Sequence, residues 1–194
     1  MKKILISRLV FLLVVFLMVS YSYCVLSGNA SSNVLTNSEK SLIKRFGYGG
    51  DYVRRWPDGY VNVYNGTSYN GMNRVIDKLN QITGGKLIFR LSDNKEESQV
   101  IFQSYANLKY ASQSEYFYDG YKFKKWQIQI NNKYIRKDKL FLFVFTQVAG
   151  FNLKAYKEKY EKWWKFEIDL TIKKMLKALY KVPPGYNLKT GKVE

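Results

Sequence analysis

Histidine is absent from this chain of 194 residues, and cysteine occurs once, at Cys24. Without histidine, neither Ser-His nor Cys-His nucleophilic catalysis can be assembled. A hydrolytic zinc site also loses the ligand it nearly always includes. A single cysteine excludes an intramolecular disulfide, and no thiol remains for catalysis or metal binding once the N-terminal segment is set aside. Acids are scarce as well, 15 against 32 lysines and arginines, giving a formal charge of +17. Glycine is present, yet "GYGG" (Gly47 to Gly50) lacks the Lys-Ser/Thr of a phosphate loop and reads as a turn. The longest apolar run, Leu9 to Val19, is too short to span a bilayer comfortably.

That run follows a basic lead of Lys2, Lys3 and Arg8 and precedes Ser20 and Ser22, the small residues an export peptidase requires. Residues 1–22 are therefore expected to be a signal peptide or an N-terminal anchor. Cys24 is a candidate for lipidation, but the large Tyr23 before it favours ordinary cleavage or an uncleaved anchor. Removing the three basic residues of the lead lowers the charge from +17 to +14. Polar residues from 23 to 45, "SGNASSNVLTNSEKS" among them, read as a linker. Residues 46–187 are expected to form one domain and 188–194 a basic tail. A hydrophobic content of 46% with 17% aromatics argues against disorder. Export combined with a basic excess implies an anionic neighbour, a membrane surface or an acidic glycan, with nucleic acid the least expected.

Along the domain, "YVNVY" (Tyr60 to Tyr64) alternates as a half-buried strand does. Met72, Val75, Ile76, Leu79 and Ile82 share one helical face, and Gly84 supplies a left-handed stop. "KLIFRL" and "SQVIFQ" give two further strands, Ala106 to Phe123 a variable Tyr- and Lys-rich excursion, and "WQIQIN" another strand. For "KLFLFVFTQVAGF" (Lys139 to Phe151), the phenylalanine alternation favours a strand. Length, Asp138 as N-cap and Gly150 as stop favour a helix, which is the expectation adopted. Being apolar all round, that helix must be central. Ile168, Ile172, Met175, Leu176 and Leu179 then define an amphipathic C-terminal helix ended by Pro183-Pro184-Gly185. The expected class is α+β, with a mixed sheet of about four to five strands.

This order of elements resembles the catalytic domain of the metzincins, a clan of zinc-dependent metalloproteases whose central helix carries H-E-x-x-H-x-x-G. Setting the motif's glycine on Gly150 places Phe143 at the first histidine, Val144 at the glutamate and Gln147 at the second histidine; the third is expected at Lys154. The closing "IKKMLKALYKVPPG" is similar to the last helix of an uncharacterised family of bacterial exported, metzincin-related domains. The resemblance implies a histidine-less, metzincin-like domain that binds no zinc, holds no cofactor and cannot be an active metzincin. It implies a non-catalytic binding or accessory protein of the bacterial cell envelope.

A carboxylate-based glycan hydrolase is the competing reading. Glu96 and Glu97 are adjacent, so a strand would point them to opposite faces, and Glu115 and Asp119 could face one another in a loop. Two clusters mix bases with aromatics. In "YFYDGYKFKKW" the aromatics are expected to cover the core. In "YKEKYEKWWKF", Tyr156, Tyr160 and Trp163 or Trp164 lie at helical spacing. Adjacent tryptophans cannot both centre a face, so one is expected near the surface beside Lys162 and Lys165, suited to an envelope protein or an anionic lipid or glycan surface.

Overall fold

The computed structural model describes residues 34–153 and 162–194. The expected signal or anchor and Cys24 lie outside them, as do Lys154, Tyr156 and Tyr160. Among the described residues no helix is long and apolar enough to cross a membrane. The fold is α+β, built on a five-stranded mixed sheet.

Five strands, β1 (Gly59–Gly66), β2 (Leu87–Leu91), β3 (Val100–Tyr105), β4 (Ser112–Asp119) and β5 (Lys122–Asn131), lie in the order β2-β1-β3-β5-β4. β4 alone runs antiparallel to its neighbour. Period-2 alternation turns Val61, Val63, Phe89, Val100, Phe102, Trp126, Ile128 and Ile130 to one buried face. α2 (Met72–Thr83) crosses between β1 and β2, burying the five apolar residues named above and ending at Gly84 with φ +66. Such a value suits a residue without Cβ.

α3 (Asp138–Val148) is the central helix that its length and flanks foretold. Asp138 is its first helical residue and Lys137 occupies the N-cap. Phe145 stacks on Phe102 at 4.9 Å and meets Phe89 edge-on at 5.5 Å, which fixes α3 to the sheet. The C-terminal carbonyls of α3 are buried and need donors. Trp56 Nε1 donates to the Val148 carbonyl at 2.7 Å, and the Tyr180 hydroxyl donates to that of Ala149 at 3.0 Å. Gly150 then turns the chain with φ +112, and a Cβ there would lie 2.5 Å from Leu179 Cδ2. Leu179 belongs to α4 (Leu170–Leu179), capped by Asp169 and buried along its expected apolar face. Arg55, only 1% exposed, ties the chain before β1 to the segment after α4. It donates to the carbonyls of Val182 and Trp56 and pairs with Asp58 at 2.8 Å.

Three further expectations are corrected. The polar linker to residue 45 gives way to α1 (Asn37–Phe46), closed by a Thr36–Glu39 capping box and packed on α4. Only Ile43 and Phe46 of this helix are buried, so its sequence looks polar. The excursion at Ala106 to Phe123 contains β4 and the start of β5, joined through Gly120. β4 has no buried residue, so this edge strand has no apolar alternation to betray it. The basic tail is pinned: Leu188 is buried, its amide donates to the Asp51 carbonyl, and the Glu194 amide donates to that of Gly185.

Candidate functional site

The positions aligned with the zinc motif carry no reactive group. Phe143 is half-buried with its ring edge-on to Phe166 at 5.3 Å, and Val144 is buried. Gln147 is half-buried one turn further on. The motif's third histidine stands three residues beyond its glycine, which is the buried Leu153 and not the expected Lys154, a residue outside those described. Among the described residues no group of three or more His, Cys, Asp or Glu could hold a metal ion.

The carboxylates expected to serve hydrolysis line none of the grooves described below. Glu96 and Glu97 lie in an exposed turn between β2 and β3, not on a strand, and their amides donate to Asn94 Oδ1. Glu115 and Asp119 lie on β4 rather than in a loop, both exposed, with Asp119 3.5 Å from Lys124 Nζ. The aromatics of this first cluster mostly pack inward, as expected. Tyr116 stacks on Trp126 at 4.8 Å and Tyr121 on Tyr52 at 5.0 Å, while the more exposed Tyr118 lies under the Arg54 guanidinium at 4.0 Å. Burial pushes the Tyr48 phenol, edge-on to Tyr116, far above the usual tyrosine range.

Trp163 and Trp164 divide as expected. They form a 3-10 turn, Trp163–Lys165, with their rings nearly perpendicular at 87°. Trp163 is half-buried against Tyr134 at 5.4 Å, whereas Trp164 is 52% exposed with Lys162 Nζ 5.7 Å from its ring centre. Lys165 is exposed beside them.

The turn does not stand alone. Trp163 and Trp164 line a groove of about 420 Å³ with Arg136, Lys137, Asp138 and Lys139 at the start of α3. Arg136 and Lys137 also line a second groove, about 500 Å³, with Ser68, Asn132 and Lys133. Asp138 and Lys139 continue into a third, about 450 Å³, with Arg74, Lys78 and Glu167. Asp138 pairs with Arg74 at 3.0 Å, and Glu167 with Lys139 at 3.7 Å. Among the described residues both acids that line the grooves are thus countered, leaving a basic excess. Tyr69 stacks on Phe141 beneath this surface at 3.9 Å, its phenol pushed up to about 12 by burial first and by Asp138 next. It stays protonated and adds no negative charge.

Lys162, Lys165, Trp163 and Trp164 were recognisable from sequence. Ser68, Asn132, Lys133, Arg136, Lys137 and Arg74 were passed over, although "NNKYIRKDK" is a visible basic run between β5 and α3. What no local pattern could reveal is the Tyr134–Trp163 contact, which joins that run to the tryptophans. Compared with protein-family models and with curated proteins, the chain matches none.

Proposed function

We propose that this chain is a non-catalytic binding protein exported to the bacterial cell envelope, built on a degenerate metalloprotease-like framework without zinc. It engages an anionic partner through the basic, aromatic surface at the start of α3. One observation carries the binding reading: Lys133, Arg136 and Lys137 line grooves that adjoin along the start of α3, one of them with Trp163 and Trp164, while Asp138 and Glu167 are already ion-paired with Arg74 and Lys139. Fixed cations around a concave surface attract anions and raise their local concentration. Support for the framework is the order of elements, with apolar α3 directly after β5, and the packing of Phe143 and Val144 where the resemblance puts zinc chemistry. Support for export is the basic lead followed by Leu9 to Val19.

Arg136→Glu combined with Lys137→Glu tests the surface. A charge pair at contact in water is worth about 1 kcal/mol, so two reversals should weaken polyanion binding by roughly tenfold or more. Binding of wild type and variant to dextran sulfate in low salt, with equal thermal midpoints as the control for folding, provides the measurement. Equal affinity would place the anion elsewhere. The zinc-free framework makes a separate prediction: a chelator should leave the thermal midpoint unchanged. Stoichiometric zinc in purified protein, lost together with the fold on chelation, would overturn it.

A further inference from the structure

Resting on that reading, we infer that the anionic partner is an acidic polysaccharide, bound as an extended chain along the grooves with a sugar ring against Trp164. The three grooves are consecutive, because each shares a pair of residues with the next: Asp138 and Lys139, then Arg136 and Lys137. A row of depressions fits a chain of repeating units. A bilayer instead presents a plane of head groups, into which projecting apolar side chains insert.

The lining chemistry is equally selective. Ser68 and Asn132 are exposed and offer a hydroxyl and an amide, which match sugar hydroxyls by donating and accepting. Lys133, Arg136 and Lys137 flank them, and among the described residues no carboxylate lines that groove. Acidic groups on the same polymer would meet these cations. In the neighbouring groove Trp164 presents an exposed indole held edge-on by Trp163, which is itself seated on Tyr134. A positioned aromatic face beside cations suits a pyranose ring bearing an acid.

Topology places the second groove, lined by Ser68, Asn132 and Lys133, where open parallel sheets bind ligands. Ser68 follows β1, and Asn132 and Lys133 follow β5, so the groove lies beyond the carboxyl ends of parallel strands. The connection from β1 leads outward to β2, and that from β3 leads the other way, past β5 to β4 at the far edge, which makes the β1–β3 boundary the switch point.

Intrinsic fluorescence of the full chain can separate the possibilities, because Trp56 and Trp126 are buried and Trp164 is the exposed indole among the described residues. The probes are polygalacturonate, neutral dextran and phosphatidylglycerol vesicles, with acrylamide as quencher. The expected result is that polygalacturonate protects tryptophan from quenching and dextran does not. Trp164→Ala should lose that signal and bind several-fold more weakly by calorimetry, and Arg136→Glu should bind at least about tenfold more weakly. Binding to vesicles but not to polygalacturonate would overturn the glycan inference while leaving an anion-binding surface intact. Binding to neither acidic probe would remove both. Polygalacturonate binding of undiminished strength in both variants would put the glycan on another surface and overturn the inference.

Discussion

Phe145 and Gln147 sit two residues apart on α3 and meet different surroundings. Phe145 is fully buried between Phe89 and Phe102, so Phe145→Ala leaves a cavity that the strands beneath it cannot readily fill. The expected loss is about 3 to 5 kcal/mol. Gln147 is half-buried, and Gln147→Ala should cost much less. Thermal or denaturant unfolding of the two variants checks the difference, and small, equal losses would contradict this placement of α3. Both surroundings were legible in the sequence, since a helix from Asp138 to Gly150 fixes which side chains lie one turn apart. Arg55 was not legible. A buried arginine is recognised by the carbonyls it reaches, and Val182 is far along the chain. The donors that close the end of α3, Trp56 and Tyr180, escaped for the same reason.

At the scale of elements, the ones found were those with a clear period. α2, α3, α4 and the parallel strands each bury one face or are apolar throughout, so 3.6- or 2-residue patterns reveal them. α1 and β4 were missed because their burial is slight. α1 is instead held at its ends by polar ties: its capping box, the contact of Glu39 with Lys181, and the contact of Lys44 with Asp51. Asp51 Oδ2 also pairs with Lys189 at 2.7 Å, so one carboxylate joins α1 to the C-terminal tail. Hydrogen bonds from Lys189 and then Lys44 hold its carboxyl below the usual aspartate range. A depressed folded value means that the contribution is complete above the ordinary carboxylate range and is lost as pH falls through the folded value. Thermal midpoints should therefore drop less between pH 6 and pH 3 in Asp51→Asn than in the wild type. An identical drop would show that the tie adds nothing to stability.

Across the whole molecule, the expected α+β arrangement matches the observed one, whereas only half of the candidate site could be read. The tryptophans and their lysines announced themselves by composition, yet their partners at 132–137 looked like an ordinary connection before a helix. Folding unites the two stretches through Tyr134 and Trp163, and so converts two modest basic segments into one continuous groove system. Part of the excess of 32 bases over 15 acids thereby falls on one concave surface. Hydrogen exchange with and without dextran sulfate tests that localisation most directly. The account predicts added protection at Asn132 to Lys139 and Lys162 to Lys165, weakening as salt rises. Protection spread evenly over the lysine-bearing surface, or confined to β4, would contradict it.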